Sequence, residues 1–252
     1  MLPLKDNQPT STFPIVTILL IVANVVVYLA QQIFPLEQIY TLVPAAVTHN
    51  APAIVQILPG GHMRIITNAP EAVRPVWLTL FTSMFLHASI SHIGFNMLYL
   101  WIFGNNIEDA LGKVRFLFFY FACGLVAALS QILPDPNSTV PVLGASGAIA
   151  GVLGAYYILY PQARVLTIVP VIFAFFFELR AWFVLGAWFV LQFVQAIMSF
   201  GVQQGGVAIF AHVGGFIAGV ILIKLMGGRK LAQGQYRRTS YYPPSQRPYR
   251  YF

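Results

Sequence analysis

Gly144-Ala145-Ser146-Gly147, running into Ala148-Ile149-Ala150-Gly151-Val152-Leu153-Gly154-Ala155-Tyr156, sets a serine between glycines at the head of an apolar helix. The preceding Asp135-Pro136-Asn137-Ser138-Thr139 is polar, so Ser146 falls where a loop drops into a membrane-embedded segment. First-turn N–H groups of a helix lack intrahelical partners and carry partial positive charge. A hydroxyl at that place has the makings of a nucleophile beside an oxyanion site. The same glycines have a plainer use, because stripes of small residues let membrane helices pack closely. The rest of the chain decides between the two.

Of 252 residues, 58% are hydrophobic and 8% charged, whereas a soluble domain carries about 25% charged residues. Runs of about 20 apolar residues each point to a polytopic α-helical membrane protein. The single cysteine, Cys123, excludes an internal disulfide framework and any multi-cysteine metal site. The net charge of +7 sits in loops and a tail rather than on a folded basic surface, which argues against nucleic acid.

The apolar runs place six transmembrane helices at about 13–34, 89–107, 116–133, 146–160, 181–200 and 207–226. The expected fold is all-α, a six-helix membrane domain over residues 13–226. A short polar tail, 1–12, precedes it, and a basic, disordered tail, 227–252, follows. A long first loop, about 35–77, is rich in Val, Ile and Leu and is expected in the membrane interface. The apolar stretch 165–177, broken by Pro170, reads as a further interfacial segment. Lys5, Lys113, Arg115, Arg164 and the basic tail fall on one side in this scheme, with Arg64 and Arg74 as exceptions. Positive charge marks the cytoplasmic side, so both termini are expected there, the basic tail against anionic lipid.

Polar residues inside spans are costly and therefore candidates for function. His92 and Asn96 share one face of the second helix, four residues apart, and His87 precedes them. Ser146 heads the fourth helix. His212 lies in the sixth, on a stripe with Gly215 and Gly219, while Ser146, Ala150 and Gly154 make a similar stripe. Close approach of the two stripes brings Ser146 Oγ within reach of His212, a nucleophile and its general base. His92, Asn96 and the Ser146 N–H would then supply an oxyanion hole. The seven acids lie in loops or at helix ends, so any serine mechanism here would be a Ser-His dyad. The His87/His92 spacing of five, with no intervening zinc-protease Glu pattern, gives no metal site. Read alone, His212 and Asn96 also fit as hydrogen-bonded packing residues.

His87-Ala88-Ser89-Ile90-Ser91-His92-Ile93-Gly94-Phe95-Asn96, Gly144-Ala145-Ser146-Gly147 and Ala211-His212-Val213-Gly214-Gly215-Phe216-Ile217-Ala218-Gly219 together resemble the rhomboid intramembrane serine proteases over residues 79–224. The resemblance implies a protease of the prokaryotic inner membrane that cuts transmembrane segments of other proteins in the lipid bilayer. It implies Ser146 as nucleophile, His212 as base, and His92 and Asn96 on the oxyanion. His87, Gly144, Gly147 and Gly215 would be supporting residues, with no cofactor. The fifth helix and the turn at 203–206 would form gate and cap. Three features depart from the family. Leu78, not Arg, follows Trp77 in the first loop. Ala150 stands where some members place a Tyr against the base, so His212 must be held another way. The 165–177 stretch is longer than in compact members. The rivals are an inactive rhomboid-like protein that binds membrane clients, and a small transporter using its histidines as a proton path, against which the absence of internal repeats counts.

Overall fold

The computed structural model describes residues 1–57, 63–170, 174–198, 208–228 and 230–232. The expected turn at 203–206 and most of the expected 227–252 tail lie outside the described residues.

In chain order the elements are β1 (Leu2–Asp6), α1 (Ile15–Gln31), α2 (Leu36–Tyr40), α3 (Pro44–Thr48), β2 (Ala53–Ile57), β3 (Met63–Thr67), α4 (Thr79–Thr82) and α5 (Ile90–Tyr99). There follow α6 (Asn105–Leu111), α7 (Lys113–Ile132), α8 (Ser146–Leu159), β4 (Arg164–Pro170), β5 (Ala174–Arg180), α9 (Ala181–Met198) and α10 (Ile209–Leu225). A wide turn, Leu100–Gly104, makes α5 and α6 one continuous helix. The chain bends by 82° between Val76–Phe85 and that helix.

Each of the six apolar runs thus holds a helix. By length and apolarity, α7 and α9 are long enough to cross a membrane, and the bent pair makes a third; α1, α8 and α10 are shorter apolar helices.

The all-α expectation requires correction, since the described residues also form five strands. The expected interfacial stretch instead contributes to β4 and β5, which pair antiparallel with Arg164 opposite Arg180 and Leu166 opposite Glu178. The β-branched Val165, Thr167 and Ile168 and the phenyl groups of Phe175, Phe176 and Phe177 suit a pleated surface. β1 joins the other edge of β4, pairing Leu2 with Ile168 and Asp6 with Val165. The first loop carries a second antiparallel pair, β2 against β3, over a small core of Val43, Ala46, Val55 and Val76.

Two buried acids tie the start of α1 to the end of α6. Glu108 accepts hydrogen bonds from the N–H groups of Val16 and Thr17 at 3.0 and 2.8 Å and from the Thr17 hydroxyl. Asp109 accepts from the N–H groups and hydroxyls of Ser11 and Thr12. A carboxylate at a helix N-terminus satisfies orphan N–H groups and complements the dipole, which gives these acids a structural task.

At the centre lies α8, buried from Gly147 through Tyr156. Its glycines admit α10 at backbone contact. A methyl group at Gly215 would strike the Gly147 carbonyl, one at Gly219 the Gly151 carbonyl, and one at Gly154 the Phe216 carbonyl. The backbone contacts on α8 therefore include Gly147 and Gly151 beside the expected Gly154. From the other side α7 closes in, with Ala127 Cβ 2.7 Å from where a Gly147 methyl would stand.

The first loop is anchored without a Trp-Arg pair. Leu42 and Val142 exchange backbone hydrogen bonds of 3.1 and 2.8 Å. The Thr48 hydroxyl donates to the Pro136 carbonyl at 2.8 Å, and His49 Nε2 lies 2.8 Å from Asn137 Oδ1. Trp77 remains exposed, edge-on to Phe81.

Candidate active site

Gly144 fixes the approach to Ser146. Its N–H donates to the Ser83 carbonyl at 2.8 Å, and its φ of +119° is one that side-chain-bearing residues rarely adopt. A Cβ there would also stand 2.8 Å from His92 Cε1. Glycine is thus required twice over, by backbone conformation and by the imidazole against it. The chain then turns into α8, which starts without a side-chain cap. Its first N–H groups are the orphan donors that any helix start presents.

Ser146 is the first residue of α8 and half-buried. Its Oγ lies 2.8 Å from His212 Nε2. His212, one turn into α10, is almost wholly buried. The end of α10 is held by Gln131 of α7, whose Oε1 accepts from the Ala211 N–H at 3.1 Å. The other imidazole nitrogen, Nδ1, lies 2.9 Å from Gln192 Oε1 on α9. Trp188, one turn earlier on α9, packs against the His212 ring with centroids 5.8 Å apart. These two side chains hold the imidazole on a chain with Ala150 in α8. A Ser–His pair at this distance can pass a proton from Oγ to Nε2, provided Nδ1 carries the ring hydrogen.

His92 reaches the same place from α5. The Ser89 hydroxyl caps that helix, accepting from the His92 N–H at 3.1 Å. The His87 ring meets His92 edge-on, with centroids 5.0 Å apart, rather than Ser146. His87 is clamped at its backbone by Gln31, which accepts from its N–H at 3.0 Å and donates to its carbonyl at 3.2 Å. Asn96, one turn beyond His92, is buried with an Nδ2 that has no protein hydrogen-bond partner among the described residues. Both His87 ring nitrogens are in the same condition. An unsatisfied buried donor costs about 1–3 kcal/mol. Gly147 and Gly215 face one another across the seam and serve close packing.

Gln192, Trp188, Gln31 and Gln131 escaped the sequence reading. For Gln192 a signal was present, a polar residue inside the apolar 181–200 run.

The chain is 42% identical over 79 residues to Rhomboid protease GluP of Bacillus subtilis, covering 31% of this chain and 15% of that protein. It is 34% identical over 96 residues to the mitochondrial Rhomboid protein 1 of Saccharomyces cerevisiae, covering 36% and 28%. To the chloroplastic Rhomboid-like protein 11 of Arabidopsis thaliana it is 28% identical over 158 residues, covering 60% and 53%. The chain thus spans about half the length of these relatives or less. The family model of the rhomboid domain matches residues 74–229, more than half of the chain and all of α5 through α10. With Ser146 and His212 in contact inside that matched region, the chain belongs to the rhomboid family, whose members are integral membrane proteins and generally serine proteases.

Proposed function

We propose that this protein is an intramembrane serine endopeptidase that cuts transmembrane segments of other membrane proteins. The observation that carries the reading is the 2.8 Å contact between Ser146 Oγ and His212 Nε2 at an uncapped helix start. Ser146 Oγ attacks the scissile carbonyl carbon while His212 Nε2 takes its proton. The tetrahedral oxyanion accepts hydrogen bonds from Asn96 Nδ2, the His92 ring and the first N–H groups of α8. The leaving amine takes the proton back from Nε2, and water then hydrolyses the acyl-enzyme by the same base. The orphan Asn96 Nδ2 supports its assignment to the oxyanion.

The helices at the six apolar runs serve as six spans of a membrane domain at 13–226, with both termini cytoplasmic in a prokaryotic inner membrane. Support for this orientation comes from the end of the molecule opposite Ser146. Lys113, Arg115 and Lys230 line one hollow there with Thr12 and Asp109, and Lys5 lies in β1 beside β4. Positive residues of this kind stay on the cytoplasmic side.

The test is cleavage of a transmembrane substrate in liposomes, together with labelling by a fluorophosphonate. Wild type is expected to cleave and to label at Ser146, and Ser146→Ala to do neither while folding normally. Unlabelled wild type, or cleavage by Ser146→Ala at the wild-type rate, would overturn the proposal.

A further inference from the structure

We propose that Gln192 is a positioning residue for His212: its side-chain carbonyl accepts the Nδ1–H and so holds the imidazole in the tautomer whose Nε2 lone pair faces Ser146. This rests on the protease reading and adds a third member, neutral and supplied by α9, to the Ser–His pair.

The geometry is that of a relay with an amide in the carboxylate's place. Gln192 Oε1 lies 2.9 Å from Nδ1, and Ser146 Oγ lies 2.8 Å from Nε2 on the opposite side of the ring. A neutral imidazole carries one proton. With the proton on Nδ1, Nε2 is free to accept from the serine; with it on Nε2, the base is blocked. A carbonyl oxygen at Nδ1 selects the first form. Neighbouring Leu191, Phe193 and Val194 are all exposed on α9, while Gln192 is half-buried. A polar residue on a lipid-facing helix is costly without a partner, and here the partner is His212. Trp188 and Gln192 are four residues apart and share a helix face, so α9 grips the ring twice, by its π-face and by its nitrogen.

The electrostatic neighbour of His212 among the described residues is the His92 ring. Facing His212 are the Ser146 hydroxyl from α8 and His92 from α5, with neutral Gln192 and Trp188 from α9. The Gln131 amide of α7 is committed to the Ala211 N–H. Of these groups, Gln192 is the one in hydrogen-bond contact with Nδ1.

The tautomer is read directly, without substrate, by nitrogen NMR of the full chain in detergent with 15N-labelled histidine, His212 being assigned by difference from His212→Ala. Wild type is expected to show Nδ1 protonated and Nε2 unprotonated at neutral pH, and Gln192→Leu to lose that bias. Nε2 protonated in wild type, or an unchanged tautomer in Gln192→Leu, would overturn the proposal. In cleavage assays, Gln192→Leu should lower kcat by about 10–100-fold with little change in KM, as misorientation of a reacting group does. Gln192→Glu keeps the acceptor and adds a negative charge. It should restore much of kcat and move the acidic limb of the pH–rate profile upward by about one unit or more. An unmoved limb in an active, folded Gln192→Glu protein would sink the idea even if Gln192→Leu failed to fold. Should the NMR result hold while Ser146→Ala still cleaves, the protease reading fails and the positioning of His212 stands.

Discussion

Replacing Gly219 by alanine should uncouple the two reactive side chains without touching either. A methyl group at Gly219 would collide with the Gly151 carbonyl oxygen and stand 2.6 Å from the carbonyl carbon. Neither partner is a flexible side chain, so the collision is relieved only by moving α10 away from α8. An ordinary contact needs on the order of 1 Å more, and overpacking of this kind typically costs about 1–3 kcal/mol. The Ser146–His212 contact spans the same pair of helices and is 2.8 Å long. Stretched by that amount it falls outside hydrogen-bond range, and a 1 Å misplacement costs roughly 100-fold in rate. The assay is initial-rate cleavage of a transmembrane substrate, with thermal denaturation in the same detergent. The control is Gly94→Ala on α5, where an added Cβ meets nothing within 4 Å. Gly219→Ala is expected to lose about two orders of magnitude in kcat, and Gly94→Ala to keep its stability. Wild-type kcat and wild-type thermal stability in Gly219→Ala would refute the argument that the seam sets the distance.

Two further outcomes follow from the site and from the N-terminal strand. Asn96→Ala should lower kcat by about 100- to 1,000-fold, or about 2.7–4 kcal/mol, with KM little changed. Activity should remain above that of Ser146→Ala, because the helix N–H groups persist; a change in stability alone would make Asn96 a packing residue. Asp6, outside the membrane helices, accepts from the Tyr156 hydroxyl and from Asn106 Nδ2, and burial raises its carboxyl to about 6. A raised carboxyl favours the folded state fully below the unfolded value near 3.8, and that contribution is lost as pH rises through 6. Wild type should therefore lose thermal stability between about pH 4 and 7 relative to Asp6→Asn, which keeps an acceptor for both donors. Parallel melting curves across that window would remove Asp6 from the account.

The helices were legible because apolar runs of this length have few alternatives, and all six hold helices at nearly the expected limits. Ser146, His212, His92 and Asn96 were legible as polar residues in an apolar setting. The phase of the α8 seam was not. Small residues stand at 146, 147, 148, 150, 151, 154 and 155, so they surround the helix rather than mark one side. Only the docked backbone shows that Gly151 meets α10. The strands were hidden for another reason. In a chain this apolar, a run of valine, isoleucine and phenylalanine suits a hairpin or a membrane-buried segment equally well by composition. β4 is held on its other edge by a partner from far away in the chain, β1, which no local pattern announces.

That pairing orders the events of assembly. β1 precedes α1 in the chain, yet its partner β4 follows α8. Contacts so distant in sequence form late, since a long loop must close before they yield any return. β5 continues directly into α9, whose first N–H groups donate to the carbonyls of Ala163 and Pro161, just ahead of β4. The sheet and the base of α9 therefore come together as one unit. By the same rule the Gln192–His212 contact, 20 residues apart in the chain, precedes the Ser146–His212 contact, 66 residues apart. A chain in mid-assembly would therefore hold the His212 ring from α9 before that ring met Ser146, so the imidazole is aimed before the two side chains come together.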